Sequence, residues 1–106
     1  MASTQGYLNF IKEQLAGLEG VTWRKMMGEY LLYCRGKLVG GIYDDRLLVK
    51  PVKSAVAAYP DAPLEEPYPG GKAMLLVDDV DDRDRLCAAL RAVADELPAP
   101  KPKKVK

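Results

Sequence analysis

Arg24 to Lys50 reads RKMMGEYLLYCRGKLVGGIYDDRLLVK, and its reading decides the fold. Short apolar runs are separated by Arg35-Gly36 and Asp44-Asp45, residue pairs suited to tight turns, so the stretch predicts a three-stranded β-meander. With two-residue turns at both places, Tyr33 pairs with Leu38, Leu31 with Gly40, Ile42 with Leu47 and Gly40 with Val49. One sheet face then carries Leu31, Tyr33, Leu38, Ile42, Leu47 and Val49 and is assigned to the core under the helices. The other carries Tyr30, Leu32, Cys34, Lys37, Val39, Gly41, Tyr43, Arg46, Leu48 and Lys50. That set is too apolar for a plain solvent face and too charged for a dry one, so a partner or a neighbouring segment should cover part of it.

Outward from the meander, Ser3 to Leu18 places Tyr7, Leu8, Ile11, Leu15 and Leu18 on one helical face, with Ser3 or Thr4 as its cap. Val21 to Met27 reads as a further strand, with Gly28 as a bulge or turn after it. Val52 to Tyr59 has the spacing of a short helix. Pro60, Pro63, Pro67, Pro69, Gly70 and Gly71 then predict a surface loop without regular structure. Lys72 to Val77 predicts a strand central in the sheet. Asp82 to Leu97 predicts a second long helix with Leu86, Leu90, Val93 and Leu97 on its apolar stripe. This order defines an α+β fold: an antiparallel meander sheet of about five strands packed with two long helices and one short one. Residues 1–98 form one domain, and 99–106 a disordered basic tail.

The 106 residues, 48% hydrophobic and 29% charged, suit a single globular domain with its own core. The sequence holds no apolar run of membrane-spanning length and no signal-peptide layout, so a cytoplasmic location is expected. Cys34 and Cys87 read as small buried hydrophobes rather than a disulfide. The net charge is +1, but the final six residues hold four lysines, which leaves residues 1–100 with 12 basic and 15 acidic side chains, a balance of −3.

There is no histidine, which removes the commonest general base, the Ser-His and Cys-His nucleophile pairs and the commonest transition-metal ligand. Cys34 beside Arg35 does not make an activated thiolate, because adjacent strand residues point to opposite faces. The acidic run Asp78 to Asp84 lacks the glycine and glutamate of an EF-hand loop, and fits helix capping by Asp81 or Asp82 better than a metal site. The glycines match no phosphate-binding loop. Tyr30 and Tyr43 with Lys37, Arg46 and Lys50 suggest a base-stacking surface, which the negative body disfavours. No cofactor and no metal are expected.

The meander resembles the TfoX N-terminal domain family, also called Sxy-like, through Arg24, Lys25, Met26, Gly28, Tyr30, Tyr33, Gly36, Gly40, Asp44, Asp45 and Lys50. Pro67 to Lys72 is similar to the family's segment before its last strand. Met27 stands where the family has an aromatic, and Pro51 follows Lys50 where the strand usually continues. The resemblance implies a competence regulator that assists a cAMP-receptor-type activator at promoters, in a protein with a further helical C-terminal domain not found in this sequence.

The expected function is therefore a non-enzymatic regulatory or interaction domain acting through a protein partner or self-association, without membrane contact. Tyr30, Leu32, Val39, Tyr43, Arg46 and Leu48 are its candidate partner surface. The alternatives are nucleic-acid binding by the sheet face and lysine tail, and small-molecule binding through Lys25, Lys50, Lys72 and Glu29.

Overall fold

The computed structural model describes residues 4–26 and 28–97, so Met27 and the basic tail lie outside the described residues. In chain order the elements are α1 (Gln5–Gln14), β1 (Val21–Met26), β2 (Glu29–Cys34), β3 (Lys37–Tyr43), β4 (Arg46–Val49), α2 (Lys53–Ala58), β5 (Leu64–Glu65), β6 (Met74–Leu76) and α3 (Arg83–Glu96). The six strands form one sheet in the order β1-β2-β3-β4-β6-β5, and every neighbouring pair is antiparallel. The fold is α+β as expected, with one strand more than the sequence suggested. The extra strand, β5, lies inside the proline-rich segment, and β6 sits next to the sheet edge rather than at its centre.

Both expected turns exist. Arg35 (φ 53°) with Gly36 (φ 79°), and Asp44 (φ 53°) with Asp45 (φ 55°), take the left-handed conformations that two-residue hairpins of this twist need. Aspartate tolerates that region and arginine does so less readily. Each turn is tied to a helix end. The Asp45 carboxylate accepts from the backbone N–H of Thr4 (2.7 Å) and from its hydroxyl (3.1 Å), while the Thr4 hydroxyl accepts from Tyr7 N–H and caps α1. At the other turn, Lys37 Nζ donates to the Ala94 carbonyl near the C-terminal end of α3 (2.7 Å), where a cation complements the helix dipole. Arg35 pairs with Asp95 beside it (3.1 Å).

Between the turns the register shifts by one residue. Tyr33 pairs with Leu38 and Gly40 with Val49 as expected, but Leu31 pairs with Gly41 and Leu32 with Gly40. Val39 has no opposite residue on β2, which makes a β-bulge. The bulge corrects the face assignment on β2 and the start of β3, because a one-residue shift exchanges the two faces. Tyr30, Leu32, Cys34 and Val39 join Ile42, Leu47 and Val49 in the helix-covered core, while Leu31, Tyr33 and Leu38 belong to the opposite face. Beyond the bulge the expected assignment of Ile42, Tyr43, Arg46, Leu47, Leu48 and Val49 stands.

The main core lies between the sheet and the helices, with Leu8, Ile11, Leu15 and Leu18 from the N-terminal segment and Leu86, Leu90 and Val93 from α3. Buried Gln14 ties the two long helices together, donating to the carbonyls of Val80 (2.7 Å) and Asp81 (3.1 Å). Asp82 caps α3 by accepting from Arg85 N–H (3.1 Å), and Asp79 pairs with Arg85, so the acidic run serves a helix start.

Gly40 must be glycine because of close approach rather than φ: a Cβ there would press into the Leu48 carbonyl oxygen and come within 3.0 Å of Val49 Cα. Gly40→Ala is expected to lower stability by about 3 kcal/mol, the upper range for overpacking. Gly6→Ala, in α1 with open space around it, should raise stability by about 0.7 kcal/mol. Urea unfolding checks both, and equal small effects would contradict the close approach of β3 to β4 at Gly40.

Candidate functional site

The helix-free face is built by alternate residues of the same strands that line the core. Leu31, Tyr43 and Leu48 are buried at its centre, and Tyr33, Leu38, Met74 and Leu76 pack half-buried around them. At the Tyr43 end, the segment between β5 and β6 folds over it. Arg46 holds that segment down: its guanidinium donates to the Glu65 carboxylate (2.7 Å) and to the carbonyls of Glu66 and Pro67 (3.5 Å each), and its Nε to the Tyr43 carbonyl (3.1 Å).

The segment then turns sharply. Gly71 N–H donates to the Tyr68 carbonyl (2.9 Å), with Pro69 and Gly70 (φ 87°) at the two central positions, where proline and a left-handed glycine are both favoured. Two tyrosine rings approach two glycines closely. A Cβ at Gly41 would come within 2.9 Å of the Tyr43 ring, and one at Gly71 within 3.1 Å of the Tyr68 ring. The two rings are 6.5 Å apart and tilted by 55°.

Beside this tyrosine pair opens a cleft of about 670 Å³, lined by Leu38, Gly40, Tyr43, Lys50, Pro51, Val52, Pro67, Tyr68, Gly70, Gly71, Lys72, Ala73 and Met74. No carboxylate is among these residues, and neither Lys50 nor Lys72 has an ion-pair partner among the described residues. The chemistry on offer is an apolar floor, an aromatic wall and two cations at the rim.

Of the sequence-expected partner residues, none is a free surface group. Tyr30, Leu32 and Val39 lie under the helices, because the bulge turns them inward; Leu48 is fully buried, Tyr43 sits beneath Tyr68, and Arg46 clamps the proline segment. Of the small-molecule set, Lys50 and Lys72 share the cleft. Lys25 is on edge strand β1, and Glu29 accepts from Asp44 N–H at the far turn. The family-motif residues divide in the same way: Gly28 and Gly36 take positive φ, Asp44 and Asp45 form the turn, Tyr30 is core, and Arg24, Lys25 and Met26 are exposed on β1. Of the motif residues, Gly40 and Lys50 line the cleft. Sequence reasoning did not place Tyr68, Gly71, Tyr33, Leu38 or Met74 in the site; for Tyr33 and Leu38 the signal was Gly40-Gly41 inside a strand, which marks a bulge.

Burial pushes the thiols of Cys34 and Cys87 up, away from the range of a reactive thiolate. Both are free, and they donate to the carbonyls of Glu19 (3.7 Å) and Gln14 (3.3 Å). Among the described residues no helix is long and apolar enough to cross a membrane, and no group of three or more histidine, cysteine or acidic residues is placed to hold a metal ion.

Fold and site define a small α+β domain with helices on one side of its sheet and an open, basic-rimmed cleft on the other. The model of the TfoX N-terminal domain matches residues 13–96, and the chain belongs to that family. It is also 37% identical, over 107 aligned positions, to an "uncharacterized 12.7 kDa protein in trpE 5' region" of Spirochaeta aurantia, a match spanning 100% of this chain and 93% of the relative. No solved structure matches the chain significantly.

Burial raises the Tyr43 phenol above its ordinary value of 10.0, with Tyr68, Glu29 and Tyr33 adding to the shift. Below pH 10.0 both folded and unfolded chains keep this phenol neutral and its contribution to stability is complete. As pH climbs past that value the unfolded chain ionises first, so stability falls until the folded group follows. Tyr68→Ala should bring the Tyr43 titration down towards 10.0 in an ultraviolet difference titration; an unchanged titration would contradict the ring geometry.

Proposed function

We propose that this chain is a regulatory interaction domain rather than an enzyme, and that it docks a partner protein on the helix-free face of its sheet, towards β1. The observation that carries this reading is the strip formed by Tyr33 and Leu38, both half-buried, with exposed Arg24 and Met26 on the adjoining edge strand. Arg24 pairs across the sheet with Leu31 and Thr22 with Tyr33, so these side chains share one face. Tyrosine and arginine around an apolar centre are the residue types that dominate binding energy at protein interfaces.

The absence of histidine from the chain and the two inert thiols support a non-enzymatic role. The competence regulators that give the family its name supply the regulatory setting. The reading places the working surface on Tyr33, Leu38, Arg24 and Met26, with Tyr43 at its margin.

The test uses Tyr33→Asp and Arg24→Glu, with Lys12→Glu on the outside of α1 as control. Sedimentation and affinity capture from the host's lysate are compared across the set. Expected is one species, a captured protein or a second copy, that weakens by about tenfold or more with either face variant and is unaffected by the control. A monomer whose captured proteins are the same for all variants would overturn the proposal.

A further inference from the structure

We propose that the cleft beside the Tyr43 and Tyr68 rings is a binding site for a small organic anion with a flat apolar body. Its volume of about 670 Å³ is within the range of small-molecule sites, roughly 300–1,000 Å³. Three features of the cleft define the ligand.

The first is charge. Lys50 and Lys72 stand at the rim with no carboxylate in the lining and no ion-pair partner among the described residues. Two lysines without ion-pair partners in the lining of one cleft favour an anion over a cation, with the carboxylates of Glu29, Asp44 and Glu66 confined to the other side of Pro67 and Tyr68. The second is the aromatic wall. Gly41 and Gly71 leave room for the Tyr43 and Tyr68 rings to approach, and side chains at those positions would displace them. A flat ligand body stacks on such rings, with a preference for offset or edge contact. The third is the floor of Leu38 and Met74, the latter an adaptable side chain that fills irregular gaps.

Arg46 does not compete for the anion, because its guanidinium is held by Glu65 and the loop carbonyls. It fixes the loop, so the wall is formed before any ligand arrives. The proposal goes beyond the protein-contact reading: the two share Leu38 and the margin at Tyr43, while Tyr33, Arg24 and Met26 lie outside the cleft.

The test is an amide NMR titration of the full chain with phenyl phosphate. Inorganic phosphate and benzyl alcohol serve as the two halves of the ligand. Expected are saturable shifts centred on Gly40, Gly70, Gly71 and Lys72, with phenyl phosphate about tenfold tighter than either half. The double variant Lys50→Gln with Lys72→Gln should weaken binding by about tenfold at an unchanged melting temperature, since both side chains are at least partly exposed. Arg24→Glu, on edge strand β1 and outside the cleft, should leave the titration as it is, which separates failure here from failure of the protein-contact reading. Scattered or unsaturated shifts up to about 10 mM, or equal binding by the lysine double variant, would overturn the proposal. So would a short poly-glutamate peptide that displaces phenyl phosphate from the same amides and binds tighter than it, since the cleft would then be a peptide site.

Discussion

The structure depends on one residue with no opposite number on β2. Val39 adds a residue to β3 that β2 does not match, between two hairpin turns that leave the register no other freedom. The additional residue is absorbed where Gly40 lets the chain run against the Leu48 carbonyl, and Lys50 N–H closes the neighbouring position on the Val39 carbonyl at 2.9 Å. From that point the pleat of β3 changes phase. Val39 and Ile42 both face the helices although they are three residues apart, and Leu38 and Tyr43 both face away from them.

The consequences reach both sides of the sheet. On the helix side, Tyr30, Leu32 and Cys34 complete the core that α1 and α3 cover. On the other, Leu31, Tyr33 and Leu38 extend the apolar patch begun by Tyr43 and Leu48. That patch is long enough that the proline segment covers only one end, and the cleft forms where the cover meets the sheet. Most of the family-type residues serve this frame: Asp45 holds the start of α1, Glu29 receives the Asp44 amide, and Gly28 and Gly36 take conformations that a side chain would strain. Lys50 differs, because it lines the cleft and has no ion-pair partner among the described residues.

Much of this was legible in the sequence. The helical stripes, both turns and the capping role of the acidic run follow from periodicity and local chemistry, which act over a few residues and leave a pattern there. The face assignment failed on β2 because a bulge is a property of two strands together, and alternation within β2 reads the same in either phase. Tyr30 and Tyr33 are both tyrosines, and Leu31 and Leu32 both leucines, so composition did not break the tie. The Val39-Gly40-Gly41 run did carry a signal, since paired glycines within a strand are unfavourable unless the backbone needs them. Of the cleft, only Lys50 and Lys72 were legible, as two members of the small-molecule set; its walls and floor were not. It requires Lys50 and Lys72 to converge across a segment of 21 intervening residues, and the reason they do is the Arg46 clamp on Glu65 and the loop carbonyls.

The most direct measurement of the account is the pattern of nuclear Overhauser effects across β2 and β3. The bulge predicts cross-strand contacts linking Leu31 to Gly41 and Tyr33 to Leu38, with Val39 methyl groups contacting the α3 side chains of the core. Contacts linking Leu31 to Gly40, with Val39 methyls touching Met74 or Tyr68 instead, would show an unbroken register and contradict the division of the sheet into a helix-covered face and a helix-free face.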